Sequence, residues 1–315
     1  MSNQKYKLIF AFGLVYIVWG ATYLGIKIAI ESVPPFMMAG VRHLTAGIIL
    51  FTVVKLSGKM VIKREHVRSN AVIGALLLLG GNGGVVWAEK IVPSGLAALL
   101  VSMVPIWILL INWSVLKRGK PSATKSIGVV LGIVGLLFLI SPMELLKAEG
   151  INLYGAIALM GASLTWSIGS VYTQYAPMPE SKFAAISIQM LSGGSLLLLL
   201  SLLVGEFNYF DIAQVTSNSI FALLFLIVFG SLIAYSAYIW LLHTAGPSLT
   251  STYAYVNPVV AVFLGWLIAS EPMNLRIIIS SVIIISAVVL ITTDHKNIRK
   301  NLKSNPLMKE LKHNS

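Results

Sequence analysis

PSLTSTYAYVNPVVAVFLGWLIASEP, residues 247–272, is long enough to cross a membrane, yet Pro258 sits in its middle. Asn257, Tyr255 and Tyr253 lie just before that proline. Residues 93–113, PSGLAALLVSMVPIWILLINW, have the same form, with Pro105 inside them. A proline within a helix removes one N–H and frees the carbonyl four residues earlier, here those of Val101 and Ala254. Hydrocarbon offers a freed carbonyl no partner. The sequence therefore predicts a kink at Pro105 and at Pro258, with the freed group turned toward protein or a wet cavity.

The rest of the chain shares this character. Of its 315 residues 57% are hydrophobic and only 11% charged. Soluble domains carry about 25% charged residues, so a soluble chain of this composition would lack polar surface to cover its core. The net charge of +12 would suit a nucleic-acid binder. In a membrane protein the same excess arises because Lys and Arg gather in cytoplasmic loops, so the expected partner is the lipid bilayer and not nucleic acid. There is no cysteine, which removes disulfides and thiolate metal sites.

Apolar windows fall at residues 8–30, 34–56, 69–89, 94–114, 124–141, 152–174, 182–204, 217–242, 247–269 and 275–293. The first is too long for the apolar core of a signal peptide and should stay as a spanning helix. With the N-terminus placed in the cytoplasm, 18 of the 23 Lys and Arg lie inside. Three lie outside (Lys90, Lys147 and Arg276), and Lys27 and Arg42 fall within spans. That imbalance predicts an N-in, C-in chain with a basic cytoplasmic tail at 294–315.

The two halves repeat. Trp19 and Trp166 are 147 residues apart, and at that offset Phe36 meets Phe183 and LTAG at 44–47 meets LSGG at 191–194. Further along the offset is 153, where Trp87 meets Trp240 and Pro105 meets Pro258. Each unit, 8–141 and 152–293, has five spans, an odd number, so the second enters the membrane from the opposite side. The expected fold is all-α and integral to the membrane, with ten transmembrane helices in two inverted five-helix repeats. Carriers that alternate access are built this way, with the solute site near the midplane where broken helices meet.

Polar groups inside spans are costly and so informative. Arg42 lies roughly 12 Å into the second span at 1.5 Å per residue. It either contacts solute or snorkels to loop carbonyls. Asn82 sits in the glycine run GGNGG at 80–84, where it either bonds across packed helices or faces solute. Trp19 and Tyr23 share a helix face, and their repeat mates are Trp166 and Ser170. Tyr235 and Tyr238, with Tyr253 and Asn257, add polar-tipped groups from the eighth and ninth spans. Converging as a set, they predict a cavity for a partly apolar small molecule, with spans 1, 3, 4, 6, 8 and 9 lining the pathway. If a proton or other ion is coupled to that solute, the titratable candidates are His43, Glu89 and Glu271. No HExxH, GxSxG or Walker loop is present, and no enzyme activity, metal or cofactor is expected.

WGATYLGIKIAIESVPPFMMAGVRHLTAG (19–47), VPSGLAALLVSMVPIW (92–107) and TSTYAYVNPVVAVFLGWLIASEP (250–272), in that order, resemble the EamA-type permeases of the drug/metabolite transporter superfamily. The resemblance covers residues 8–293. It implies a carrier in a bacterial-type inner membrane that exports or exchanges small metabolites, often amino acids or related compounds. One departure stands out: the family often has an acidic residue after both the fourth and ninth spans. Glu271 fills the second place, but Lys117-Arg118 occupies the first. A lipid flippase or scramblase is the alternative from another class, and a lateral aliphatic opening between helices would favour it.

Overall fold

The computed structural model describes residues 3–58, 61–92, 94–140, 152–269 and 275–292, and every described element is helical. Glu271 and the basic tail lie outside the described residues. The first half contains α1 (Asn3–Ala29), α2 (Pro35–Leu56), α3 (Arg64–Ala88), α4 (Ser94–Val101), α5 (Val104–Val115) and α6 (Ala123–Ile140). After it come α7 (Leu153–Tyr172), α8 (Lys182–Leu203), the short α9 (Glu206–Tyr209) and α10 (Ser217–Thr244). The chain continues with α11 (Pro247–Thr250), α12 (Tyr253–Ala269) and α13 (Leu275–Thr292). Among the described residues seven helices are long and apolar enough to cross a membrane, joined by three shorter apolar ones. Large apolar side chains such as Phe10, Ile17, Val53, Leu203 and Phe221 are exposed on the outside, as lipid solvation allows.

Three described helices change pitch, α5 at Ile111–Val115 and two others at matching places. Ala75–Asn82 within α3 and Leu226–Tyr235 within α10 are π-helical. The wider turn of a π segment displaces backbone groups from their regular partners, and such segments occur often at functional sites. Asn82 and Tyr235, each the last residue of its π segment, are 153 residues apart. Nothing in the hydrophobic pattern of the sequence marks these segments.

The two proline-bearing stretches do break, but not where the prolines alone predict. The first break lies at Ser102–Met103, and Pro105 then sits in the first turn of α5. Proline is tolerated there because an N–H in the first turn has no intrahelical partner to lose. The second break lies at Ser251–Thr252, and Pro258 is carried inside α12. At this break the side chains replace helical bonds: Ser251 Oγ donates to the Ser248 carbonyl at 3.0 Å and Thr252 Oγ1 to that of Leu249 at 2.7 Å.

α2 and α8 form the closest helix pair. A Cβ built on Gly40 would lie 3.0 Å from the backbone nitrogen of Leu198, and one on Gly47 2.9 Å from that of Leu191. One on Gly194 would lie 2.6 Å from the nitrogen of Leu44. The partner number falls as the residue number rises, so the helices are antiparallel. Gly47 and Gly194 are repeat mates, and so are Leu44 and Leu191. Each glycine thus receives the leucine whose mate receives the other, which is the self-complementary pattern of a two-fold contact. The same exchange recurs elsewhere, since α3 packs on α7 and α10 on α1.

The start of α2 is fixed from α8. Its N-cap, Pro34, has no side-chain acceptor. Glu206, buried just beyond α8, accepts from the backbone N–H groups of Phe36 at 3.1 Å and Met37 at 2.8 Å, and from Ser201 Oγ at 2.7 Å. A carboxylate suits the positive end of a helix. Gly205, at φ 78°, makes the tight turn that delivers it.

Gly194→Ala should therefore force the α2–α8 backbones apart and cost about 1–3 kcal/mol. Gly161 has nothing within 4 Å of a built Cβ. Gly161→Ala should be neutral or gain up to about 1 kcal/mol through helix propensity. Thermal unfolding midpoints in detergent separate the two outcomes.

Candidate functional site

A cavity with polar and aromatic lining opens between α1, α2, α3, α7, α10 and α12, with Val101 of α4 also on its wall. It holds about 620 Å³ of space outside the protein atoms, its open mouth included. Its wall residues on α1 run from Trp19 toward the Ala29 end, and those on α2 lie near the Pro35 start. The cavity thus occupies the half of the bundle away from the chain's N-terminus.

Its floor is aromatic. Trp19 meets its repeat mate Trp166 edge-on, with centroids 5.4 Å apart at 80°. Trp19 also contacts Tyr238 at 4.8 Å and Tyr253 at 5.0 Å, and those two tyrosines meet at 5.5 Å and 89°. Edge-to-face pairs of this kind contribute about 0.5–1.5 kcal/mol beyond their buried area. Their polar tips are satisfied as well. Trp19 Nε1 donates to the Gly230 carbonyl at 3.1 Å, within the π segment of α10. Trp166 Nε1 donates to the Tyr238 hydroxyl at 2.8 Å. Ser170 gives its proton to the Trp166 carbonyl at 2.6 Å, so Tyr238 O–H donates to Ser170 Oγ at 2.5 Å.

One wall is a polar relay. Arg42 Nε donates to Ser231 Oγ at 2.8 Å. Ser231 Oγ stands 3.4 Å from His43 Nδ1, and His43 Nε2 stands 3.1 Å from Asn82 Oδ1. Asn82 Oδ1 can only accept, so His43 carries its proton on Nε2 and Ser231 donates to Nδ1. The relay joins α2 to the π segments of both α3 and α10. Glycine makes room for it: a Cβ on Gly230 would lie 2.6 Å from Arg42 Nη2. On the opposite wall a Cβ on Gly81 would lie 2.6 Å from Trp166 Cε3, so the glycine run lets α3 approach α7. Arg42 is only 3% exposed, and its Nη1 has no hydrogen-bond partner among the described residues.

Of the residues singled out in the sequence, Trp19, Tyr23, Arg42, Asn82 and Trp166 line this cavity. So do Tyr235, Tyr253 and Asn257, together with His43. Ser170 and Tyr238 do not: the Tyr238 ring packs against Trp19, Trp166 and Tyr253 without reaching the cavity, and Ser170 holds its hydroxyl. The Asn257 amide, turned so that its nitrogen faces two carbonyls, donates to Tyr16 at 3.1 Å and Tyr253 at 3.0 Å. It ties α1 to α12 as well as facing the cavity. Pro105 is buried off the cavity wall. Glu89 is buried at the end of α3, 6% exposed, and neither carboxylate oxygen has a hydrogen-bond partner among the described residues. The sequence alone places it near an outer end and does not anticipate this burial.

Several residues of the site carry no motif. Ser231, Gly230, Thr22 and Ser163 are small and common in any apolar helix. Gln189 and Asn70 are different, because a long amide inside an apolar helix is costly and could have been flagged. Gln189 also lies 147 residues after Arg42, at its repeat-equivalent position.

Ser231→Ala should leave Arg42 Nε unpartnered and cost about 1–3 kcal/mol in thermal unfolding. Ser286, exposed and bonded only to the Val282 carbonyl of its own helix, is the control. Ser286→Ala should stay within about 0.5 kcal/mol of the parent.

With this geometry in place, known proteins can be set beside the chain. The model of the EamA-like transporter family matches twice, at residues 6–141 and 153–293. The chain is 39% identical over 292 residues to the uncharacterized inner membrane transporter YedA of Escherichia coli K12, covering 92% of each protein. It is 27% identical over 277 residues to the uncharacterized transporter YoaV of Bacillus subtilis, covering 86% of this chain and 91% of that one. A crystal structure matches at a TM-score of 0.69 and 17% identity, over 91% of this chain and 97% of the other, a likeness of fold.

Proposed function

Since the chain belongs to the EamA-like transporter family, we propose that it carries a small organic anion or zwitterion through the central cavity by alternating access. It is a multi-pass membrane transporter of the cytoplasmic membrane. The finer proposal is of ten spans in two inverted five-helix repeats, 8–141 and 152–293, with both termini and the basic tail in the cytoplasm. The antiparallel, self-complementary contact of Gly47 and Gly194 supports the inverted relation. The meeting of Trp19 and Trp166 at the cavity floor supports it too. The distribution of Lys and Arg supports the orientation.

The observation that carries the solute class is Arg42. A buried guanidinium nitrogen without a partner, on the wall of a cavity, is an unfilled donor site. Guanidinium geometry favours planar oxyanions such as carboxylates. Ser231 holds Nε, Gly230 seats Nη2, and Nη1 is left for the solute. The aromatic floor accepts the apolar part of the molecule. His43 and Glu89, with Glu271, remain the candidates for ion coupling, and flux measured with and without a pH gradient tests them. Flux that ignores the gradient excludes proton coupling through all three.

A second proposal rests on a separate observation. An apolar groove on the lipid side runs along Phe36, Leu79, Leu196 and Leu199, with Gly80 and Gly84 at its base. It shares no wall residue with the cavity, although Gly81 and Asn82 line the cavity from the same helix. Such a lateral aliphatic groove favours lipid translocation. In proteoliposomes, saturable counterflow of a soluble carboxylate supports the carrier, whereas transbilayer lipid movement alone supports the alternative.

In the same assay Arg42→Ala should raise the KM for the carboxylate about ten-fold or more while the protein still reaches the membrane. Tyr253→Phe should weaken transport by about three- to ten-fold. Wild-type rates in both variants would show that this cavity is not the solute site.

A further inference from the structure

Gln189 is fully buried in α8 and fully bonded. Its Oε1 accepts from the Tyr235 hydroxyl at 2.9 Å, and its Nε2 donates to Asn70 Oδ1 at 2.7 Å. Asn70 Nδ2 in turn donates to the His66 carbonyl at 2.8 Å, near the start of α3. Three helices are thus joined by a dry chain of amides and one phenol. Tyr235 belongs at once to this chain and to the cavity wall. On the same side of the floor, Tyr16 O–H donates to Thr252 Oγ1 at 2.6 Å, closing α1 onto the break before α12.

The position of Gln189 mirrors that of Arg42. Each is the eighth residue of its helix, α2 or α8, and those helices are antiparallel. Arg42 therefore lies near the end away from the N-terminus, and Gln189 near the N-terminal end. Their bonding partners mirror each other as well. Arg42 and its neighbour His43 reach α10 through Ser231 and α3 through Asn82. Gln189 reaches α10 through Tyr235 and α3 through Asn70. The difference is occupancy: Arg42 keeps a nitrogen without a partner beside the open cavity, whereas both ends of the Gln189 amide are taken.

We infer that the Tyr235–Gln189–Asn70 chain is the closed counterpart of the open Arg42 site. It clasps the N-terminal half of the bundle shut, and when the two halves exchange conformations it parts to make Gln189 the solute's polar contact on that side. This rests on the alternating-access proposal. Two arrangements related by the repeat give the bistable element that such an exchange requires.

The absence of cysteine makes the test direct, because a single introduced thiol reports without background. One reporter is Ile26→Cys on the cavity wall. The other is Ala185→Cys, 2% exposed and one helical turn from Gln189 toward the N-terminal end. A membrane-impermeant maleimide is applied to each face, to intact cells and to inverted vesicles. In the parent, the Ile26→Cys thiol should react from the face away from the N-terminus, and the Ala185→Cys thiol should resist from the other. Adding Gln189→Leu, or separately the milder Tyr235→Phe, should speed the Ala185→Cys reaction about five-fold and slow the Ile26→Cys reaction by a similar factor. An unchanged Ala185→Cys rate in both variants overturns the clasp. A faster reaction at both reporters also overturns it, because that is loosening of the bundle and not exchange. No solute is used, so failure here leaves the Arg42 proposal standing, and loss of the Arg42 proposal leaves this result intact.

Discussion

A guanidinium held inside an apolar bundle must have its hydrogen bonds supplied by the protein or by whatever enters beside it. Around Arg42 the protein bonds Nε and leaves Nη1 without a partner among the described residues. Ser231 takes Nε, the absence of a side chain at Gly230 makes space for Nη2, and Nη1 is buried in the wall of the cavity. Much of the local architecture serves this arrangement. The π segment of α10 brings Ser231 and Gly230 to the same wall, and its displaced Gly230 carbonyl is satisfied by Trp19 Nε1. The antiparallel contact of α2 and α8, closed by glycines, and the Glu206 cap at the start of α2 fix the depth at which Arg42 enters.

Aromatic and polar groups divide the work of the site. The tryptophan and tyrosine rings form a rigid floor because each ring is wedged edge-on against another and the polar tips of Trp19, Trp166 and Tyr238 are bonded. Such groups lose little entropy when a solute arrives. The unbonded Arg42 nitrogen supplies attraction, and the rings supply shape. For the proposed carrier this combination favours an amphipathic anion over a sugar, since a sugar needs many hydrogen-bond partners and Trp19, Trp166 and Tyr238 have spent theirs internally.

Much of this was legible in the sequence because membrane solvation constrains composition so strongly. Apolar windows located the helices, and repeat offsets paired Trp19 with Trp166 before any contact was known. Arg42 and Asn82 stood out as polar residues in an apolar setting, and both line the cavity. The helix breaks were less legible. Proline marks where a helix loses a donor, but side chains that recapture carbonyls decide where it ends, and Ser251 and Thr252 do so several residues before Pro258. The π segments were not legible, since they preserve the apolar pattern and change only the pitch. The role of Glu206 was not legible either, because it depends on a turn at Gly205 that brings the carboxylate to another helix. Gln189 shows information present in the repeat but carried by unlike side chains, arginine in one half and glutamine in the other.

The central claim is that the cavity binds a carboxylate through Arg42. Thermal unfolding of the purified protein in detergent, with small aromatic carboxylates and their methyl esters, tests it most directly. A ligand present at 100 times its Kd stabilises the bound state by about 2.7 kcal/mol, enough to move the midpoint by several degrees. At least one carboxylate should raise the midpoint of the parent, its ester should not, and Arg42→Ala should abolish the response. Equal stabilisation by acid and ester, or an undiminished response in Arg42→Ala, would contradict that claim.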